Sequence, residues 1–181
     1  MEKPTGRHSP GLAALFEGLK DDGRHSILDL GVASSGQLRI LGRYGQQMRF
    51  AGLVPKPPVG EKLVEALAPH PRQPYDVVFA WDVFDRLDAP DRTRLMEQLA
   101  LITAPGARLH AFVDSSGAAT AQPTRSTILA HDRILQEPVG RPEPARSQIL
   151  PAQAERLLAP FAVTHAFTLR VGLREYVATK R

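Results

Sequence analysis

The chain has 181 residues and a formal net charge of +4, with 43% hydrophobic and 23% charged residues. One domain with a single ordinary core follows from that length and balance, and a disordered chain is excluded. With no cysteine, disulfides, thiolate metal sites and a cysteine nucleophile are excluded as well. No apolar run reaches the length of a signal peptide core or a membrane span, which makes a cytoplasmic protein the expectation.

Ser9 and Pro10 read as a helix cap and first turn, and Leu12, Leu15, Phe16 and Leu19 repeat at helical spacing. A short apolar strand is expected over Ser26 to Leu30. A helix from Gly36 to Tyr44 follows, with Leu38, Leu41 and Ile40 inward and Arg39 and Arg43 outward. Met48 to Val54 reads as a second strand, Glu61 to Leu67 as a short helix, and "PHPRQP" as breakers. "YDVVFAWDVF" is the strongest strand signal, since the apolar run Val77 to Ala80 suits a strand buried on both faces.

Asp88 is placed to cap a helix with Asp91 in its first turn and Leu95, Leu99 and Ile102 as its buried stripe. A strand over Ala107 to Val113 follows the "APG" stop. "DSSGAATAQPT" reads as a polar loop, Ser126 to Leu135 as one short strand, and "QEPVGRPEPARS" as an exposed excursion. Pro151 to Leu158 is a helix, and Phe161 to Arg170 and Leu173 to Thr179 are two strands at hairpin spacing. Alternating helices and strands predict a three-layer α/β domain with a mostly parallel sheet ending in an antiparallel hairpin. Within one domain spanning 1–181, the N-terminal helix and lead-in take 1–25, the α/β core 26–113, a variable insertion 114–150, and the last helix and strand pair 151–181.

The glycine turn in "SILDLGVASSGQLRIL" is the candidate ligand site, because the first strand-to-helix turn of such a sheet faces the ligand crevice. Gly31 to Gly36 gives the glycine spacing of a P-loop, but Gln37 and Leu38 stand where lysine and a hydroxyl residue belong. A dinucleotide fingerprint fails too: Ala33 replaces the middle glycine, and no acid occurs from Arg49 to Gly60 to hold a ribose. The six histidines show no metal-ligand spacing, and no G-x-S-x-G elbow surrounds Ser115 or Ser116.

"LDLG" with the small-residue loop to Gly36 resembles the first motif of class I S-adenosylmethionine-dependent methyltransferases. "YDVVFAWDVFDRL" is similar to their fourth-strand segment, "LMEQLALITAPGARLHAFV" to the helix, turn and fifth strand, and the closing strands to their reversed seventh. The resemblance implies a Rossmann-like sheet of seven strands, six parallel and one reversed, and S-adenosylmethionine as cofactor. It implies that Asp29 organises the turn and the methionine ammonium, and that Gly31, Ser34, Ser35 and Gly36 let the backbone approach the amino-acid part. Trp81 and Asp82 would line the methyl-transfer end, with Asp82 the one candidate general base.

Two features depart from that pattern. Val54 stands where the family carries its ribose-binding acid, and the 20 residues between Val54 and Tyr75 leave room for one short helix, so the third-strand region is shortened. A methyltransferase acting on an unknown acceptor and a catalytically silent binding or scaffold module on the same fold are both consistent with the chain. The cations Arg39, Arg43, Arg49 and Lys56 lie in a segment without acids, so a protein or nucleic-acid partner for the silent module would bind there.

Overall fold

The computed structural model describes residues 5–68, 70, 74–170 and 172–181. Most of "PHPRQP" and the turn residue Val171 therefore lie outside the described residues. Two residues, Arg7–His8, form a short β1, and α1 (Pro10–Glu17) follows. Ser9 caps α1 by accepting from the Leu12 amide, and Leu12, Leu15 and Phe16 are buried, as their spacing requires. Next come β2 (His25–Asp29), α2 (Ser35–Leu41), β3 (Gly45–Phe50), α3 (Glu61–Ala66) and β4 (Tyr75–Ala80). A 3-10 turn at Phe84–Arg86 leads to α4 (Ala89–Ile102) and β5 (Thr103–Asp114).

The main sheet has the order β10-β11-β5-β4-β2-β3, where β10 is Phe161–Arg170 and β11 is Leu173–Lys180. Pairings β2–β3, β2–β4 and β4–β5 are parallel, whereas β11 runs antiparallel to both of its neighbours. The chain thus alternates strand and helix through β5 and reverses only at the end. Between β3 and β4 the described residues form α3 alone, so β3 is an edge of the sheet.

Alternation along the strands divides the core between two faces. Leu28, Val78, Leu109 and Tyr176 pack with α3, α4 and α5 (Pro151–Leu158) on one face. Ile27, Phe79, Phe112 and Val177 pack with α1, Leu41 of α2 and Ile128 and Ile134 of the insertion on the other. At the C-terminus of α4, the Lys180 ammonium donates to the carbonyls of Ala100 (2.5 Å) and Thr103 (2.6 Å), satisfying oxygens the helix leaves free.

Several elements differ from the sequence expectation. Helix α2 ends at Leu41, and Leu38 is 45% exposed while Gln37 faces inward, because the polar site below α2 takes the position an apolar stripe would have filled. Strand β3 ends four residues before Val54, since Ala51, Gly52 and Leu53 leave the ladder to hydrogen-bond Asp29, Gly31 and Leu30. Asp88 occupies the cap position of α4 without a side-chain cap bond; its carboxylate lies 3.6 Å from Arg146.

The single strand expected over Ser126 to Leu135 is a hairpin of β7 (Thr124–Ala130) and β8 (Arg133–Pro138), preceded by a two-residue β6 (Thr120–Ala121). His131 and Asp132 make its turn, a sequence without the usual glycine. The hairpin is tied down along its length: the Ser9 amide donates to the Asp132 carbonyl, Arg133 donates to the Gly6 carbonyl, and the Tyr44 hydroxyl lies 3.1 Å from His131 Nε2. The excursion after it is exposed and contributes β9 (Glu143–Pro144), paired with β6.

Candidate functional site

The turn after β2 lies where parallel strands end, beside the point at which the chain's strand order reverses direction from β2. Asp29 closes the strand and is 2% exposed. One of its carboxylate oxygens accepts from the Gly31 amide at 2.8 Å, and the other accepts from the Gln37 side-chain amide. Burial pushes its pKa up to about 7, against the lowering effect of the Gly31 bond. Gln37 in turn accepts from the Ser34 hydroxyl at 2.7 Å, and the same hydroxyl caps α2 by accepting from the Gln37 amide at 3.2 Å. Strand end, turn and helix start are thereby locked through one side chain.

A cavity of about 150 Å³ sits on this turn. Asp29, Gly31, Val32 and Gln37 line it together with Val54, Pro55 and Trp81, and Thr124, Arg125, Ser126 and Val139 of the insertion complete the lining. A Cβ on Gly31 would meet Asp29 Oδ1 at 3.2 Å and Val54 Cγ2 at 3.5 Å, so glycine fits the crowding between carboxylate and wall.

Of the residues singled out by sequence, the structure brings Asp29, Gly31 and Trp81 together around this cavity. Ser34 is the helix cap, Ser35 is exposed, and neither lines the cavity. Gly36 faces the hairpin instead: a Cβ there would lie 2.7 Å from Thr127 Cγ2 and 2.9 Å from the Ile128 carbonyl oxygen. Asp82, at a φ of 55°, turns away from the cavity. Its carboxylate accepts from the Thr124 amide at 2.7 Å and lies 3.4 Å from Arg86 Nε, holding the insertion against the end of β4. Burial raises the Asp82 pKa, against the lowering effects of Thr124 and Arg86.

Asp82 lines a second, more polar cavity of about 390 Å³ at the ends of β4 and β5, with Asp85, Arg86 and Asp114 among its walls. Burial, with Asp82 and Asp114 nearby, pushes Asp85 up to about 7, while the Asp114 amide it accepts lowers it. Sequence reading missed Gln37, Asp85 and the residues from 124 to 139. Gln37 carried a signal in retrospect, as a polar residue on the inward side of a short helix and one helical turn past the Ser34 cap.

The segment read as basic does not present four free cations. Arg43 pairs with Asp21, and Arg49 donates to the Ala66 carbonyl at 2.7 Å. Arg39 and Lys56 are exposed. Among the described residues no cluster of histidine and acid side chains could hold a metal ion, and no helix is long and apolar enough to cross a membrane.

Solved structures share this mixed α/β architecture with a central, mostly parallel sheet. A methyltransferase dependent on S-adenosylmethionine from Mesorhizobium loti aligns with a TM-score of 0.58 at 14% identity, over 94% of this chain and 96% of that one. The glycopeptide N-methyltransferase MtfA in complex with S-adenosyl-L-homocysteine aligns at 0.52 and 14% identity, over 100% of this chain and 90% of that one. The fold is that of the class I S-adenosylmethionine-dependent methyltransferases. The pyocyanin biosynthetic protein PhzM shares this methyltransferase fold at a TM-score of 0.52 and 16% identity over 94% of this chain, which spans 54% of that protein's length. No family model and no curated protein sequence matches the chain.

Proposed function

We propose that the chain is a methyltransferase-type protein that takes S-adenosylmethionine by its methionine end at the turn after β2, for methyl transfer to an acceptor that its sequence does not specify. The observation that carries this reading is the buried Asp29 carboxyl, fixed by Gly31 and Gln37 in the lining of a cavity that Trp81 also lines. A carboxylate there suits an ammonium group, and an aromatic wall suits a sulfonium. When bound, the cofactor supplies an electrophilic methyl group; Asp29 would hold its ammonium and Trp81 would shield the reacting end from water.

The nucleoside half fits this cavity less well. About 150 Å³ is below the roughly 300 Å³ at which small-molecule pockets begin. Val54 and Pro55, not a carboxylate, face the turn from the end of the second parallel strand, and the third strand of the seven-stranded pattern is not among the described elements. Entry of the whole cofactor would need more room beside Val54, Pro55 and the insertion residues Thr124, Arg125, Ser126 and Val139 that line the cavity. These same observations favour a second reading, a silent module on the methyltransferase fold whose covered turn serves stability alone.

Calorimetric titration with S-adenosylmethionine and S-adenosylhomocysteine separates the two. Micromolar binding that Asp29→Asn weakens about tenfold or more, the loss of a charge-assisted bond, supports the cofactor site. Folded protein that gives no heat at millimolar ligand establishes the silent module.

A further inference from the structure

Trp81 leaves the end of β4 and is buried, and its indole Nε1 donates to His110 Nδ1 on neighbouring β5 at 2.6 Å. The other ring nitrogen of His110 lies 2.7 Å from Glu175 Oε1 on β11. His110 and Glu175 are both 0% exposed. An indole nitrogen can only donate, so Nδ1 must accept, and the ring proton sits on Nε2, where it donates to Glu175. The same carboxylate oxygen also accepts from the Ser9 hydroxyl and the Leu12 amide at the start of α1. Three adjacent strands and one helix thus converge on a single indole.

This arrangement is expensive for a structural device. Among the described residues Glu175 Oε2 has no hydrogen-bond partner, and a buried carboxylate with one oxygen unpaired costs stability that an apolar residue of similar size would not. What the relay fixes is the ring that walls the cavity above Gly31. The His110 and Trp81 rings stand at 90°, and Phe79 and Phe112 pack beside the indole with ring centroids at 4.9 and 6.2 Å, so the hydrogen bond selects one orientation within an aromatic cage.

We propose that His110 and Glu175 are positioning residues that hold the Trp81 indole as the wall of the cavity on the β2 turn. The proposal rests on the cofactor-site reading for its ligand but not for its geometry. Trp81 is the sole tryptophan of the chain, so its fluorescence reads the relay directly.

Two substitutions at His110 split the relay. His110→Asn keeps an acceptor at the Nδ1 position for the indole, whereas His110→Gln keeps a donor at the Nε2 position for Glu175 and abandons the indole. With both variants shown to be folded by circular dichroism, His110→Gln is expected to shift the emission and raise acrylamide quenching. It should also weaken S-adenosylhomocysteine binding about tenfold, the effect of leaving one buried donor unpaired. His110→Asn, which keeps the indole's acceptor but loses the bond to Glu175, should change emission and affinity in the same direction but less than His110→Gln does. Equal emission changes in both variants, or none in either, overturn the proposal. In the unaltered protein the Trp81 indole proton should exchange slowly with solvent, and exchange at the rate of free tryptophan overturns it without any variant. A wild-type protein that does not bind S-adenosylhomocysteine defeats the cofactor reading alone, since emission and exchange still decide whether the relay holds the indole.

Discussion

Substituting Gly36 by alanine tests what the second glycine of the turn is for. In the resemblance to methyltransferases Gly36 serves the cofactor, yet in the structure its Cα hydrogen faces β7 and a Cβ would come within 2.7 Å of Thr127 and 2.9 Å of the Ile128 carbonyl. The carbonyl belongs to a paired strand and cannot swing aside, so α2 and the hairpin must separate by several tenths of an ångström. Overpacking of that kind costs about 1–3 kcal/mol, against a gain of at most about 1 kcal/mol from alanine's helix propensity. The net loss should be about 1–2 kcal/mol, or roughly 2–8 °C in melting temperature for a domain of this size. Urea denaturation followed by circular dichroism measures it. Equal or greater stability in Gly36→Ala would refute the assignment of this glycine to hairpin packing.

Three further outcomes follow from the same geometry. Asp29 and Asp85 are each raised from 3.8 to about 7, so the folded state holds protons that the unfolded chain releases. Their contribution to stability is present below about pH 4 and falls as pH rises towards 7, by up to about 1.4 kcal/mol per pH unit for each carboxyl at mid-window. Denaturation series from pH 4.5 to 6.5 should show that slope reduced by either Asp→Asn substitution; an unchanged slope in both contradicts the burial argument. Asp82→Ala removes the acceptor for Thr124 and the nearer of the two carboxylates beside buried Arg86, the other being Glu143 at 4.0 Å, so it should cost about 1–3 kcal/mol and open the segment before β7 to protease. Arg49→Met should cost about 1 kcal/mol by releasing the carbonyls at the end of α3, with no change in salt-dependent binding to nucleic acid, a result that a strong effect on such binding would contradict.

The parallel core was legible because its signals are local. The run Val77 to Ala80 is apolar on both faces, and Ser9-Pro10 and Pro151 mark helix starts through proline chemistry that needs no tertiary partner. Strand β3 was misplaced by a few residues because Ala51 to Val54 look like a strand but spend their amides on the glycine turn. The hairpin of β7 and β8 was hidden, since His131-Asp132 is not a recognised hairpin pair and its stability comes from Ser9, Tyr44 and Gly6, all distant in sequence. For the site, Asp29 and Gly31 were readable as a strand-end acid and a turn. Which way Gly36 and Asp82 face was not, because both orientations are set by the insertion. The relay from Trp81 through His110 to Glu175 joins three strands whose bonded neighbours are 29 and 65 positions apart in the chain, and no spacing rule reports it.

The most direct measurement is a nuclear magnetic resonance titration of isotope-labelled protein with S-adenosylhomocysteine. Saturable shifts are expected at the Gly31 and Val32 amides, the Trp81 indole proton and residues 124–126, all around the cavity on the β2 turn. Saturable shifts confined to another surface, or none at millimolar ligand, would contradict a cofactor site on that turn.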